Sequence, residues 1–122
     1  MNHEDVARYK LEDISHEFGL CQVIVAEGYE KFIELSPGGK ANRRMAERAV
    51  ENVAEASRKL PQSWKDSRSE VPWREIVAMR NKITHDYGEI DHNIVWEVIA
   101  KNFPVIADQL GLSVDADPFG RL

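Results

Sequence analysis

The sequence predicts an all-α fold, one domain built as a bundle of four main helices plus short helical pieces. Three observations carry this. Leu11, Ile14, Phe18, Cys21, Val25 and Phe32 recur at spacings of three, four and seven, which draws one apolar stripe along a helix. Alternating apolar and polar runs of the kind that build half-buried strands are nearly absent. Prolines and glycines fall between the periodic segments, where helices should stop.

Taken in order, the first stripe ends near Gly28, because glycine weakens a helix. That leaves Tyr29 to Leu35 as a short piece. Pro37-Gly38-Gly39 reads as the clearest break in the chain. A second helix runs from about Lys40 to Leu60, with Met45, Ala49, Val53, Ala56 and Leu60 on its apolar face. Small alanines there allow a neighbouring helix to approach closely. Pro61 ends it, since proline has no amide hydrogen with which to continue the ladder. Ser63 to Glu70 reads as part loop, part single turn. Pro72 suits the first turn of a third helix, which the pattern carries to Tyr87 with Gly88 as cap. Asp91 is placed to cap a last helix from His92 to about Leu110, with a kink near Ala100 imposed by Pro104. The core spans about residues 6–110, and the tail after Gly111 reads as loosely ordered.

Composition narrows the function classes. At 122 residues, 43% hydrophobic and 30% charged, the chain suits one globular domain. No run of about 18 apolar residues is present to span a membrane. The opening Met-Asn-His-Glu-Asp lacks the blocks of a secretory signal, and the lone Cys21 fits a reducing cytoplasm. A formal charge of -5 disfavours broad attraction to nucleic acid, so any RNA contact must use a local basic patch.

The stretch Arg80-Asn81-Lys82-Ile83-Thr84-His85-Asp86-Tyr87 holds the densest chemistry. An arginine, an amide, an imidazole and a phenol can together grip a phosphodiester, stabilise its charge and move protons. At about 100° per residue, Arg80 falls near the middle of an apolar arc of Trp73, Ile76, Val77, Met79, Ile83 and Tyr87. A charge there requires a carboxylate, a phosphate or another subunit as partner. His85 points roughly 140° away from Arg80, with Asn81 one turn before it. On a regular helix Arg80 and His85 therefore diverge. Either the helix distorts near Thr84, or a second copy completes the site. A two-fold homodimer, pairing two arginines and two histidines, is the favoured solution.

Plainer readings stand beside these. Arg80 could bridge to Glu55 or Glu51, His85 could sit at a helix C-terminus where a cation is favoured, and Tyr87 could simply pack. Asn81 is mildly unfavourable mid-helix, and its plain reading is a polar surface residue. Asp86, Asp91 and His92 with His85 offer oxygen and nitrogen donors, but their spacing matches no metal motif, so no metal or cofactor is expected. Lys40, Arg43, Arg44 and Arg48 form a basic cluster opening the second helix. With Lys82 they are candidates for RNA or partner contact, against the plain reading of a solvated face.

The motif Arg-x4-His-x-Tyr with Asn after the Arg resembles that of HEPN-domain proteins of the HepT-like branch. The resemblance extends over about Val6 to Leu110. Asn52-Val-Ala-Glu-Ala-Ser-Arg-Lys-Leu60, the lead-in Val71-Pro-Trp-Arg-Glu-Ile-Val and the follow-on Ile90-Asp-His-Asn-Ile-Val-Trp96 look like successive blocks of that family, as does Phe103-Pro104. Asp86 stands where glycine is common, and adds a negative charge beside the motif. The resemblance implies a HEPN-like bundle and a metal-independent ribonuclease, the toxin of a type VII-like toxin–antitoxin pair. Its implied partner is a minimal nucleotidyltransferase antitoxin of the MntA type. It further implies His85 as general acid/base, Arg80 as stabiliser of the developing charge, Asn81 as orienting group and Tyr87 as acceptor of AMP. A non-catalytic helical module that positions a nucleotidyltransferase is the alternative of another class.

Overall fold

A computed structural model describes residues 2–84 and 88–112. His85, Asp86, Tyr87 and the tail from residue 113 lie outside the described residues, and with them the expectations placed on those positions. The described chain is all-α, as the periodicity predicts. Its elements are α1 (His3–Glu27), α2 (Tyr29–Phe32), α3 (Pro37–Lys59), α4 (Gln62–Asp66), α5 (Trp73–Lys82), α6 (His92–Glu97), a π-helical segment (Val98–Asn102) and α7 (Phe103–Leu110). The last three run on as one interrupted helix. Helix α3 is central: it packs on α1 along one side, on α5 along another, and touches α6.

Each boundary has a local cause. Asn2 caps α1 by accepting the Asp5 amide at 2.8 Å, and Gly28 ends it at φ 94°, a conformation costly for any residue with a Cβ. The Pro37-Gly38-Gly39 break proves to be the first turn of α3. Ser36 caps it by accepting the Gly39 amide at 3.0 Å, and Pro37 takes the first helical position, where its missing N–H costs nothing. Gly39 is needed for space, since a Cβ there would overlap the carbonyl oxygen of Glu34. Pro61 follows the Leu60 cap, and the polar stretch contains α4 before the turn into α5. Pro72 is the N-cap of α5 rather than part of its first turn.

Burial follows the stripe. Ile14, Phe18, Cys21 and Ile24 of α1 meet Ala46, Ala49, Val50 and Val53 of α3 and Val98, Ile99 and Phe103 of the last helix. Removing side chains such as Phe or Ile from water contributes about 1.5–3 kcal/mol each. Phe18 and Phe103 stack tilted, with centroids 4.7 Å apart. Burial pushes the Cys21 thiol well above its ordinary range, so it behaves as a small apolar group. No helix among the described residues is long and apolar enough to cross a membrane.

The kink expected near Ala100 appears as the π-helical segment. Pro104 cannot donate to the Ala100 carbonyl four residues back, and the ladder widens to the i→i−5 pattern, with the Phe103 amide on the Val98 carbonyl.

Candidate functional site

Helix α5 stops at Lys82, five residues before the end that periodicity gave it. Ile83 still bonds back to the Met79 carbonyl, but Thr84 reaches only Asn81, three residues back. The Thr84 hydroxyl donates to the Arg80 carbonyl at 3.2 Å, competing for the acceptor that a further helical amide would use. Thr84 then pairs with Ile90 in an isolated antiparallel bridge, and the Asp91 amide donates to Ile83 at 2.8 Å. The end of α5 and the residues that lead into the next helix are thus tied together. The helix has ended before Thr84, and His85 lies outside the described residues.

Beyond the loop, Asp91 caps α6 as expected, accepting the Asn93 and Ile94 amides at 3.0 and 3.2 Å. His92 Nε2 lies 2.8 Å from Glu47 Oε1, which ties the start of α6 to α3. Tyr29 donates its hydroxyl to Asn93 Oδ1 at 2.6 Å, fixing the same corner from α2. Among the described residues no group of three or more acidic, histidine or cysteine side chains could hold a metal.

Arg80 corrects the helical-wheel expectation. It is exposed, not embedded in an apolar arc. The buried face of α5 is Ile76, Met79 and Ile83, while Trp73 and Val77 are only half-buried. Arg80 therefore sits on the shoulder of a narrower arc, about 40° past Ile76. The expected partners are also committed elsewhere. Glu51 pairs with Arg48 at 3.4 Å, and Glu55 with Arg58 at 2.8 Å and Lys59 at 3.4 Å. Hydrogen bonding from Arg58 holds the Glu55 carboxyl at a pKa of about 2. Among the described residues, no carboxylate forms an ion pair with Arg80.

What Arg80 does face is a groove. Glu51, Ala54, Glu55 and Arg58 of α3 and Val77, Arg80 and Asn81 of α5 enclose an open trough of about 300 Å³. Arg80 and Asn81 stand together at its α5 wall, both exposed, near the end of the helix. Lys82 is exposed one residue further on.

The basic cluster of α3 divides. Arg43 is half-buried, and its Nη1 donates to the Phe32 and Glu34 carbonyls at 2.8 and 2.7 Å, so it ties the end of α2 to α3. Arg48 pairs with Glu51. Lys40 and Arg44 are exposed. Arg58, which the sequence reading passed over, is the basic residue of α3 that lines the groove. Its spacing of seven from Glu51, two helical turns, placed it on that face.

The sequence matches the family model described as "Ribonuclease HepT-like" over residues 20–111. It is 32% identical over 95 residues to a "Probable ribonuclease HepT" of Thermococcus cleftensis, covering 77% of this chain and 83% of that protein. A "Putative RNase" of Methanocaldococcus jannaschii is 32% identical over 110 residues, 90% of this chain and 97% of that protein. One of Caldanaerobacter subterraneus subsp. tengcongensis is 38% identical over 63 residues, a match that spans 52% of this chain and 56% of its relative. No solved structure matches the chain.

Proposed function

Because this chain belongs to the ribonuclease HepT-like family, we propose that it is the toxin of a cytoplasmic toxin–antitoxin pair. In this reading it acts as a metal-independent endoribonuclease through the Arg-x4-His-x-Tyr motif. The observation that carries the reading is the exposed Arg80–Asn81 pair at the α3/α5 groove. No carboxylate among the described residues neutralises Arg80 there. A guanidinium left free at a groove wall is available to a phosphate, for which its planar fork of donors is suited.

The chemistry assigned is transfer to the neighbouring hydroxyl. His85 removes the proton of the ribose 2′-hydroxyl, and that oxygen attacks phosphorus. The 5′-oxygen then leaves with a proton from a second acid, giving a 2′,3′-cyclic phosphate. Imidazole titrates near neutral pH and serves both proton transfers. Arg80 stabilises the charge that accumulates on the phosphorane oxygens, and Asn81 orients the imidazole or a phosphate oxygen. In a two-fold homodimer the partner copy's motif would supply the second histidine.

Regulation is assigned to Tyr87. A minimal nucleotidyltransferase antitoxin of the MntA type transfers AMP from ATP: the phenolic oxygen attacks the α-phosphorus and pyrophosphate leaves. The added anion would repel RNA from the groove. Expression of the chain should arrest growth, His85→Ala should relieve the arrest, and co-expression of the nucleotidyltransferase should add one AMP by intact mass. A His85→Ala chain as toxic as wild type would overturn the reading. Mass gained equally by Tyr87→Phe would remove Tyr87 as acceptor.

A further inference from the structure

We propose that the α3/α5 groove continues past Arg80 into a site for the phosphate backbone of single-stranded RNA, centred on Arg74. The inference rests on the ribonuclease reading and extends it to how the substrate strand is held. Arg58, Gln62, Lys65, Trp73, Arg74 and Val77 line a second open cavity of about 560 Å³. Arg58 and Val77 line both cavities, so the two form one trough along the α3/α5 seam.

Three cations and no carboxylate line this second part. That is unusual for a chain of net charge -5, where acidic groups outnumber basic ones. Two of the cations are fixed before any ligand arrives. Lys65 Nζ donates to the Ser57 and Arg58 carbonyls at 3.2 and 3.4 Å, and Arg58 is bidentate to Glu55 at 3.2 and 2.8 Å. The wall is fixed too, since the Trp73 indole N–H donates to the Lys65 and Arg68 carbonyls at 3.2 and 3.0 Å. Arg74 is exposed and has no ion-pair partner among the described residues.

This arrangement suits a strand of repeated anionic charge. Arg74 and Arg80 lie six residues apart, about 9 Å along the axis of α5, with Val77 between them. The acidic groups at the Arg80 end are paired with Arg48 and Arg58, which leaves Lys65 and Arg74 as the cations of the second cavity not paired with a carboxylate among the described residues. A half-buried indole at the basic end offers an aromatic surface beside the cations, the combination that sequence-tolerant single-strand sites use.

The test measures binding of the full chain to a single-stranded 2′-O-methyl RNA, which lacks the attacking hydroxyl, across a range of salt concentrations. Arg74→Glu is expected to weaken binding several-fold. It should also reduce the slope of log affinity against log salt by about 0.7, the loss of one single-strand phosphate contact. Lys101→Glu, the same charge change on the last helix, should leave affinity and slope as in wild type. Equal affinity and slope for wild type and Arg74→Glu would overturn the proposal, as would an equal loss in Lys101→Glu. Displacement of the RNA by a poly-glutamate peptide at equal concentration would also overturn it, because the site would then read charge alone. The two readings separate cleanly. A wild type that loses binding on Arg74→Glu yet leaves unmodified RNA intact keeps the groove and ends the ribonuclease reading. A wild type that cleaves RNA with Arg74→Glu binding unchanged does the reverse.

Discussion

The backbone amide of Asp91 donates to the carbonyl of Ile83 at 2.8 Å, and this bond joins the C-terminal cap of α5 to the N-terminal cap of α6. Ile83 is 1% exposed and anchors in the core, while Asp91 is the cap of α6. The end of α5 and the start of α6 are thereby held together, and both helices pack on α3. The Asp91 side chain accepts two α6 amides. Asp91→Ala should therefore cost about 1 kcal/mol of stability. Urea denaturation measures this, and RNA cleavage should fall by more than the fraction unfolded explains.

Gly39 sits where the first turn of α3 crosses the backbone after α2, with no room for a Cβ beside the Glu34 and Lys31 carbonyls. Backbone atoms cannot swing aside as a side chain can. Gly39→Ala should destabilise the protein by about 1–3 kcal/mol. Thermal unfolding would show it as a lowered midpoint. An unchanged midpoint would mean that the α2–α3 junction yields freely.

Ser57 runs the opposite way. It is 1% exposed on α3, and its hydroxyl has no hydrogen-bond partner among the described residues. A buried hydroxyl left unsatisfied costs about 1–3 kcal/mol, and alanine is the better helix former. Ser57→Ala should leave stability unchanged or raise it by up to about 2 kcal/mol. A clear loss in chemical denaturation would show that the hydroxyl finds a partner in solution.

Glu55 gives a pH prediction with a definite sign. Arg58 holds its folded pKa at about 2, below the usual 4.5. A depressed carboxylate contributes stability that is present above its unfolded pKa and lost as pH falls through its folded value. The difference between wild type and Glu55→Gln should thus be constant near neutrality and fade between about pH 4.5 and pH 2. The pair is exposed, so the effect should be small, and NMR titration of the Glu55 carboxyl reads it more directly. A midpoint near 4.5 would contradict the pairing.

Much of this was legible in the residues. The stripe from Leu11 to Phe32, the stop at Pro61, the Asp91 cap and the disturbance before Pro104 all rest on local rules that tertiary packing did not override. Pro37-Gly38-Gly39 misled because Pro at the first position of a helix and a break look alike without the Ser36 cap. The end of α5 was hidden for a different reason. Its periodicity continues to Tyr87, while the bonds at its end, from Thr84 to Ile90 and from Asp91 to Ile83, connect residues that local spacing does not bring together. The placement of Arg80 failed because Trp73 and Val77, which widened the arc on its side, are only half-buried. The paired state of Glu51 and Glu55 depended on which of several cations each would choose, and their own helix supplied the nearest.

The central claim is chemical, and one measurement meets it most directly. Purified protein would be incubated with single-stranded RNA in excess EDTA, and the new ends analysed by mass. The account predicts fragments ending in 2′,3′-cyclic phosphate from wild type and none from His85→Ala or Arg80→Ala that remain folded. RNA left intact by wild type, or cut equally by His85→Ala, would contradict it.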